Sequence, residues 1–108
     1  MIRGRPIKRR RIGFQPSRTF FKPAGIPMRN LKLVNLRFEE VEALRLKNLE
    51  GLNNAQAAKQ MHISRATFQR ILNLAYKKIS LGLVRGRAIQ IEGGNYSLPR
   101  RRGFNQRR

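Results

Sequence analysis

The sequence predicts a mainly α-helical fold, a three-helix domain with short flanking strands and basic, disordered arms. Three observations lead to this prediction. Apolar residues recur every three to four positions across the middle of the chain, as they do along one face of an α-helix. Four of the five prolines stand at positions 6, 16, 23 and 27, which makes this part too broken for a long helix. Short apolar stretches on either side of the helical region have the length of strands.

The first helix is predicted over Phe38–Gly51. Its glutamates fall in the first turns, where the helix dipole favours anions, and Gly51 is a natural end. The preceding stretch LKLVNL, residues 31–36, predicts either a short strand or a lead-in to this helix, and periodicity does not separate the two. The apolar stripe of the helix consists of Val41, Leu44 and Leu49, with Phe38 and Leu46 beside them.

Two further helices follow around a short turn. The stretch Asn53–Met61 predicts a short helix with Asn53 or Asn54 as its cap, and Ser64–Leu83 predicts a longer helix capped by Ser64. The residues HIS between them predict a tight turn. The buried face of the longer helix is predicted to consist of Phe68, Ile71, Leu72, Ala75 and Ile79.

A second short strand is predicted over Arg87–Gly94, where a double glycine ends the stretch. This strand could pair with residues 31–36. We therefore expect three regions along the chain: a basic AT-hook-like arm over residues 1–18, a helix-turn-helix domain over residues 19–94, and a basic, mobile tail over residues 95–108.

Positive charge is concentrated at the two ends of the chain. The 108 residues include 25 Lys and Arg against five acids, which gives a formal net charge of +20. Residues 1–38 and residues 93–108 contain no acid at all. A charge of this size repels itself unless a polyanion is present, so nucleic acid is the first partner to expect and an anionic membrane surface the second.

The residue inventory argues against an enzyme. The chain contains one His, no Cys and no Asp, so ligands for a metal ion and groups for acid–base chemistry are scarce. We expect no enzymatic activity, no metal and no cofactor. No apolar run approaches the ~18 residues that span a bilayer, and the N-terminus lacks the apolar stretch of a signal peptide. We therefore expect no membrane partner and a cytoplasmic, nucleoid-associated protein.

Residues 54–72 have the features of a helix-turn-helix. A short and a long helix flank a turn of the usual length. Ala57 and Ala58 fall where the helices must approach closely, and Ile63 can fill the space between them. His62 occupies a position that often needs a positive φ, which favours a strained turn residue over a ligand or a base. The alternative for the whole segment is a helical hairpin with a solvated polar face.

Longer stretches carry a family resemblance. FEEVEALRLKNLEGLNNAQAAKQMHISRATFQRILNLAYKKI is similar to region four of bacterial sigma factors. The motifs FKPAGIPMRNL, EALRLKNLEGL, AAKQMHISRATFQRIL and IEGGNY resemble, in this order, a family of small prokaryotic proteins of uncharacterised function that are described only as DNA-binding. The resemblance covers about residues 3–97 and implies a sigma-region-four-like domain that binds DNA.

The expected interface lies on the outer face of the longer helix, whose N-terminal half would enter the major groove. Arg65, Ala66 and Gln69 are the expected base-reading residues, since Arg can pair with guanine and Gln with adenine. The residues expected on phosphate or at the groove edge are Ser64, Thr67, Arg70, Asn73, Lys59, Lys77 and Lys78.

The N-terminal stretch RGRPIKRR is a candidate minor-groove arm. RGRP is similar to an AT-hook, in which the glycine lies on the groove floor and the arginines extend along a narrow A·T-rich groove. The alternative is a solvated basic tail that binds phosphate without sequence preference, and the sequence favours neither reading. The candidate arm residues are Arg3, Gly4, Arg5, Pro6, Lys8 and Arg9.

These features predict a sequence-specific DNA-binding protein, a transcriptional regulator whose partner is double-stranded DNA. The alternative is an RNA-binding or ribosome-associated basic protein, which the Arg-rich tail with Gly103 and Phe104 would suit. RNA polymerase and a second copy of the chain are further partners to consider. The candidate dimer surfaces are Ile79–Val84 and Ala88–Ile91.

Overall fold

A computed structural model of the chain describes residues 9–98. Three helices and short strands form within this part, which confirms the predicted three helices with flanking strands. The predictions for the tail beyond residue 98 lie outside the described residues, as do those for the arm residues Arg3, Gly4, Arg5, Pro6 and Lys8.

The elements follow the predicted order, with additional short strands at both ends. In chain order they are β1 (Arg10–Arg11), β2 (Phe20–Phe21), a 3-10 turn (Met28–Asn30), β3 (Leu33–Leu36), α1 (Phe38–Leu44), a π-helical turn (Arg45–Leu49), α2 (Asn54–Gln60), α3 (Arg65–Arg85), β4 (Ala88–Ile91) and β5 (Tyr96–Ser97).

The π-helical turn changes the phase of the first helix. Its mark is a hydrogen bond that the amide of Glu50 donates to the carbonyl of Arg45, five residues earlier, at 2.9 Å. As a result Leu46 is buried, whereas Leu49 is 82% exposed. The prediction that Leu49 belongs to the apolar stripe is wrong, because it assumed 3.6 residues per turn throughout.

Helices α2 and α3 begin at two of the predicted caps. The side chains of Asn53 and Ser64 each accept a hydrogen bond from a backbone amide three residues later, which satisfies an amide of the first turn. Helix α3 extends past its predicted end to Arg85 and stops at Gly86, which adopts the left-handed conformation with φ 61°.

A three-stranded sheet lies against α3. Its strands have the order β2–β4–β3, with β4 antiparallel to β2 and parallel to β3. Leu36 lies opposite Ile91 in the parallel pair, and both side chains are buried. The predicted pairing of the two apolar stretches is confirmed, and residues 31–36 supply a strand.

A second, two-stranded sheet joins the ends of the described chain. Strand β1 pairs in parallel with β5, and Arg10 lies opposite Tyr96. The following residue, Ile12, is fully buried, and its amide donates to the carbonyl of Ser97 at 2.9 Å. Both segments therefore belong to the folded domain, whereas composition alone had assigned them to the arm and the tail.

The hydrophobic core consists of two clusters along α3. One joins α1, the π-helical turn and α2 to the N-terminal half of α3, and the other joins the sheet to the following turns. Burying one large apolar side chain stabilises a fold by about 1.5–3 kcal/mol. The predicted face of α3 is confirmed, with Ile79 partly buried and buried positions at Phe68, Ile71, Leu72 and Ala75.

Buried glutamates of α1 attach both ends of the described chain. Oε2 of Glu42 accepts a hydrogen bond from the amide of Gly13 at 2.8 Å, and Oε1 of Glu39 accepts one from the amide of Asn95 at 2.9 Å. Gly94, with φ 118°, lies so close that a Cβ there would overlap the carboxylate of Glu39. These buried carboxylates are stable because each accepts hydrogen bonds.

Candidate nucleic-acid interface

The turn between α2 and α3 joins the helices at small side chains. Ala57 and Ala58 are buried, and the carbonyl of Ala58 accepts a hydrogen bond from the amide of Ile63 at 3.1 Å. His62 has φ 58°, and within residues 9–98 it is the only residue besides glycine with a positive φ. The prediction of a strained turn residue at His62 is confirmed.

The outer face of α3 carries a row of exposed residues, Ala66, Arg70, Asn73 and Lys77, which we call the α3 ridge. Spacings of four, three and four residues place them on one side of the helix. Arg65 is exposed beside the start of this ridge. Neither α2 nor α3 contains an acidic residue, so no carboxylate of these two helices neutralises the ridge.

Three further predicted contact residues lie near the turn. Lys59 is exposed on α2. The hydroxyl of Ser64 accepts the amide of Thr67 at 3.1 Å and donates to Oγ1 of Thr67 at 3.0 Å. The hydroxyl proton of Ser64 is thus used in the bond to Thr67, whereas Thr67 retains its own hydroxyl proton for an outside acceptor.

Two adjacent lysines of α3 have different surroundings. Lys77 is exposed, whereas Nζ of Lys78 donates to both carboxylate oxygens of Glu40 at 2.9 and 3.0 Å. Glu40 is only 3% exposed, so releasing Lys78 would leave a buried carboxylate without its counter-ion. The prediction that Lys78 contacts phosphate disagrees with this ion pair, and we exclude Lys78 from the interface.

Gln69 was predicted on the outer face of the longer helix, and the structure gives it hydrogen-bond partners within the fold. The residue is half-buried at the edge of the α3 ridge. Its Oε1 accepts a hydrogen bond from Nδ2 of Asn54 on α2, and its Nε2 donates to Oδ1 of Asn73 at 2.9 Å. A primary amide has two donor hydrogens and two acceptor lone pairs, so Gln69 can still make one further bond of each kind.

Two residues of the hydrogen-bonded network around Gln69 were not predicted as site residues from the sequence. Asn54 was expected only as a candidate helix cap, and Lys47 was not considered. Nζ of Lys47, in the π-helical turn, donates to Oδ1 of Asn54 at 2.8 Å. Three elements meet at these side chains, so the periodicity of any one helix gives no signal for the contact.

The cationic N-terminal segment starts beside the turn. The amide of Arg11 donates to the carbonyl of Met61, the residue before His62, at 2.9 Å. Arg9 is the one candidate arm residue that the structure describes, and it is exposed. Strand β1 therefore lies close to the N-terminal end of α3.

Arg45 has a shifted pKa for a structural reason. Its Nε and Nη2 donate to the two carboxylate oxygens of Glu42 at 2.9 and 2.8 Å. These hydrogen bonds raise the pKa of Arg45, although desolvation acts to lower it. Because the folded-state pKa is raised, this contribution to stability is complete at neutral pH and is lost only as the solution becomes strongly alkaline.

An open groove of about 610 Å³ lies on the sheet, where it is lined by residues of β3, β4 and the segment after β4. The side-chain Nδ2 of Asn35 in this groove donates to the backbone carbonyls of Gln90 and Glu92 at 3.3 and 3.4 Å. Within residues 9–98, no group of three or more His or acidic side chains is arranged to hold a metal ion. No helix in the same range has the length and apolar character that crossing a membrane requires.

The fold and this surface define a small, strongly basic three-helix protein. A family model described as "Protein of unknown function DUF134" matches residues 1–99, and the chain belongs to this family. The prediction of an uncharacterised prokaryotic family is confirmed, whereas the likeness to sigma-factor region four remains a prediction. No solved structure matches the chain.

The chain is more than 50% identical in sequence to each of three curated relatives. It is 59% identical over 99 residues to a UPF0251 protein of Desulforudis audaxviator, which covers 92% of the chain and 65% of that relative. It is 53% identical to a UPF0251 protein of Halothermothrix orenii, with 87% and 70% covered, and 52% identical to one of Dehalococcoides mccartyi, with 90% and 83% covered. The chain thus spans about two thirds of the Desulforudis relative, and these names state no activity.

Proposed function

We propose that this chain binds double-stranded DNA in a sequence-specific manner and acts as a transcriptional regulator. In this proposal α2, the turn and α3 form a helix-turn-helix, and α3 is the recognition helix. The α3 ridge is the observation that carries the proposal, because it presents Arg70, Asn73 and Lys77 on a helix pair without acids. Side chains of these types bind phosphates and base edges.

The length of α3 suits insertion by its N-terminal half. Its 21 residues extend for roughly 31 Å, whereas the major groove is only about 12 Å wide and 8.5 Å deep. In this orientation Arg65, Ala66 and Gln69 face base edges, and Arg70 reaches phosphate or the groove edge. The second half of the helix then extends beyond the groove, where Lys77 can contact the backbone.

The acids of the chain support the same assignment. Glu39, Glu40 and Glu42 are buried and hydrogen-bonded within the fold, so they do not neutralise the outer surface. Glu50 pairs with Arg45 at 3.2 Å. The exposed cations of α2 and α3 therefore retain their attraction for an external polyanion.

The N-terminal cations extend the same interface in this proposal. The sequence has Arg3, Arg5, Lys8 and Arg9 immediately before β1, and β1 is bonded to the residue that starts the turn. An arm that begins there can reach the minor groove or the phosphates next to the major groove that α3 occupies.

Selection of bound duplexes from a random pool, at fixed salt, tests this proposal. We expect a defined sequence motif and a Kd that rises with salt. Three phosphate contacts from Lys59, Arg70 and Lys77 would by themselves weaken binding by about 40-fold between 50 and 200 mM salt. Recovery of sequences no better than the starting pool would contradict sequence-specific binding.

A matched pair of variants tests the orientation of α3. Arg65→Ala should reduce discrimination at one or two base pairs, because an Arg–guanine pair contributes ~1–3 kcal/mol. Arg85→Ala, at the opposite end of the same helix, removes the same charge and should leave the motif unchanged. Equal effects of the two variants would show that α3 does not enter the groove by its N-terminal half.

Exposed aromatic residues favour RNA as the second candidate partner. Phe14, Phe20 and Phe21 are 55%, 43% and 53% exposed in a segment that also contains Arg18 and Lys22. Aromatic rings beside cations can stack the bases of single-stranded RNA. Competition for labelled duplex DNA by single-stranded RNA separates the two functions. Stronger competition by RNA than by unlabelled duplex DNA would favour the RNA-binding alternative.

A homodimer would double the DNA contact, with half-sites about 34 Å apart. Of the candidate dimer surfaces, Ala88 and Ile91 are buried in the core, whereas Leu83 and Val84 are 76% and 80% exposed. Sedimentation of the wild type and of the double variant Leu83→Ser and Val84→Ser tests this contact. Binding to RNA polymerase rests on the resemblance to sigma factors alone.

A further inference from the structure

Four side chains form one continuous hydrogen-bonded relay across three elements. Nζ of Lys47 donates to Oδ1 of Asn54 at 2.8 Å, Nδ2 of Asn54 donates to Oε1 of Gln69, and Nε2 of Gln69 donates to Oδ1 of Asn73 at 2.9 Å. The relay starts in the π-helical turn, crosses α2 and ends on the α3 ridge. Lys47, Asn54 and Gln69 are only partly exposed, which limits competition from water for their hydrogen bonds.

Lys47 fixes the direction of the whole relay. An ammonium group only donates, so it must face the oxygen of Asn54 and not the nitrogen. The amide nitrogen of Asn54 must then face Gln69, which presents its oxygen in return. The nitrogen of Gln69 consequently points along α3 to the oxygen of Asn73. One cation thus determines which side of the Gln69 amide carries the acceptor and which side carries the donor.

We propose that Lys47 and Asn54 are positioning residues that hold Gln69 in the orientation in which it reads an A·T base pair. This inference rests on the proposed DNA-binding function. A glutamine amide recognises adenine by accepting from N6 and donating to N7 at the same time. The second lone pair of Oε1 and the second hydrogen of Nε2 remain for these two bonds, and the relay places them in a fixed order.

The relay also reduces the ordering that binding requires. A free glutamine side chain on a helix surface samples several rotamers, and fixing it on DNA costs entropy. In this protein the fold already restricts Gln69 through Asn54 and Asn73. In addition, the positive charge of Lys47 polarises the successive hydrogen bonds, which strengthens each donor along the relay.

The test measures discrimination at single base pairs within the motif that wild-type protein selects. Duplexes with each base pair replaced in turn are titrated against wild type and the variants Lys47→Met and Asn54→Ala. We expect both variants to lose most of the roughly tenfold or greater preference at one A·T pair and to keep the preference at all others.

Two control variants separate orientation from charge and from folding. Lys47→Arg keeps a donor-only cation and should retain the preference at that pair, at least in part. Lys59→Met removes one charge from an exposed position of α2 and should weaken all duplexes alike, without changing their ranking. A wild-type ranking in both Lys47→Met and Asn54→Ala would overturn the inference and leave the relay as a clamp between the helices.

A measurement on the protein without DNA provides a second readout. The side-chain amide signals of Asn54 and Gln69 are followed by nitrogen-15 NMR in wild type and in Lys47→Met. We expect both signals to shift and that of Gln69 to become more mobile in the variant. Unchanged Gln69 signals would overturn the inference. Failure of the proposed function is seen separately, as a wild-type protein that selects no motif.

Discussion

Helices α1 and α3 differ in where their charged side chains lie. Helix α1 carries three carboxylates, all buried, and each accepts hydrogen bonds from another part of the chain. Helix α3 carries cations, of which Lys78 alone is paired with one of these carboxylates. The acids therefore stabilise the fold from inside, whereas most cations of α3 remain on the surface.

The difference shows that net charge is a poor guide to which charges are available for binding. The chain has 25 cations and five acids, and these totals do not say which of the charges face solvent. The chain instead places three acids in its interior, where they also hold the segments on either side of the helical core. Variants of the buried acids of α1 should therefore affect stability, whereas variants of the exposed, unpaired cations of α3 should affect DNA affinity.

The largest expected effect is on stability. Glu42→Ala removes the acceptor for the amide of Gly13 and the main partner of Arg45. We expect a loss of about 3 kcal/mol in the free energy of unfolding, at the low end for breaking a buried ion pair because Arg45 is partly exposed. Denaturant titration measures this loss.

Glu50→Ala is the matched control, because Glu50 pairs with the same arginine at 3.2 Å but has a 53% exposed side chain. A surface pair of this kind contributes at most about 1 kcal/mol. If the two variants were equally destabilised, burial of Glu42 would not be the source of its effect.

A smaller effect on stability distinguishes the adjacent residues Lys77 and Lys78 of α3. Lys78→Met leaves the buried carboxylate of Glu40 without its cation and should reduce stability by about 2 kcal/mol. Lys77→Met should change stability by no more than about 0.5 kcal/mol. It should instead weaken DNA binding and make the salt slope shallower by about 0.9. Chemical denaturation and salt titrations of both variants measure the two properties, and the opposite assignment would refute the ion pair as the reason for excluding Lys78.

The smallest expected effect concerns the first turn of α3. Ser64→Ala removes the cap that accepts the amide of Thr67 and should lower stability by about 1 kcal/mol. Ser80→Ala, at an exposed position in the middle of the same helix, should be neutral or slightly stabilising, because Ala has the higher helix propensity. Thermal denaturation compares the two. A Ser64 variant as stable as the Ser80 variant would mean that the cap contributes nothing.

Local patterns predicted the helices and their caps. The positions of Phe68, Ile71 and Leu72 follow from helical spacing, and the caps at Asn53 and Ser64 follow from residue type. The pairing of β3 with β4 was also predictable, because both are short apolar stretches that need a partner. Each of these features depends on a few neighbouring residues.

The remaining features depend on contacts between distant residues. Ile12 is buried and its amide binds the carbonyl of Ser97 at the other end of the described chain, and the carboxylate of Glu42 binds an amide 29 residues earlier. The surroundings of Gln69 differ from the prediction for the same reason. Its partner Asn54 lies 15 residues away on another helix. Composition showed that the ends are basic, but it could not show that their inner residues belong to the fold.

Because of the π-helical turn, the number of residues between α1 and α2, and not only their identity, determines the surface around Lys47 and Asn54. This turn contains one residue more than a regular helical path would need, and it aims Lys47 at Asn54. Deleting Asn48 would remove that extra residue, together with the side-chain oxygen that accepts a hydrogen bond from the hydroxyl of Tyr76 at 3.1 Å. We expect the shorter turn to separate Nζ of Lys47 from Oδ1 of Asn54, which lie 2.8 Å apart in the wild type. Deleting one residue would thus interrupt the relay while all four of its side chains are still present.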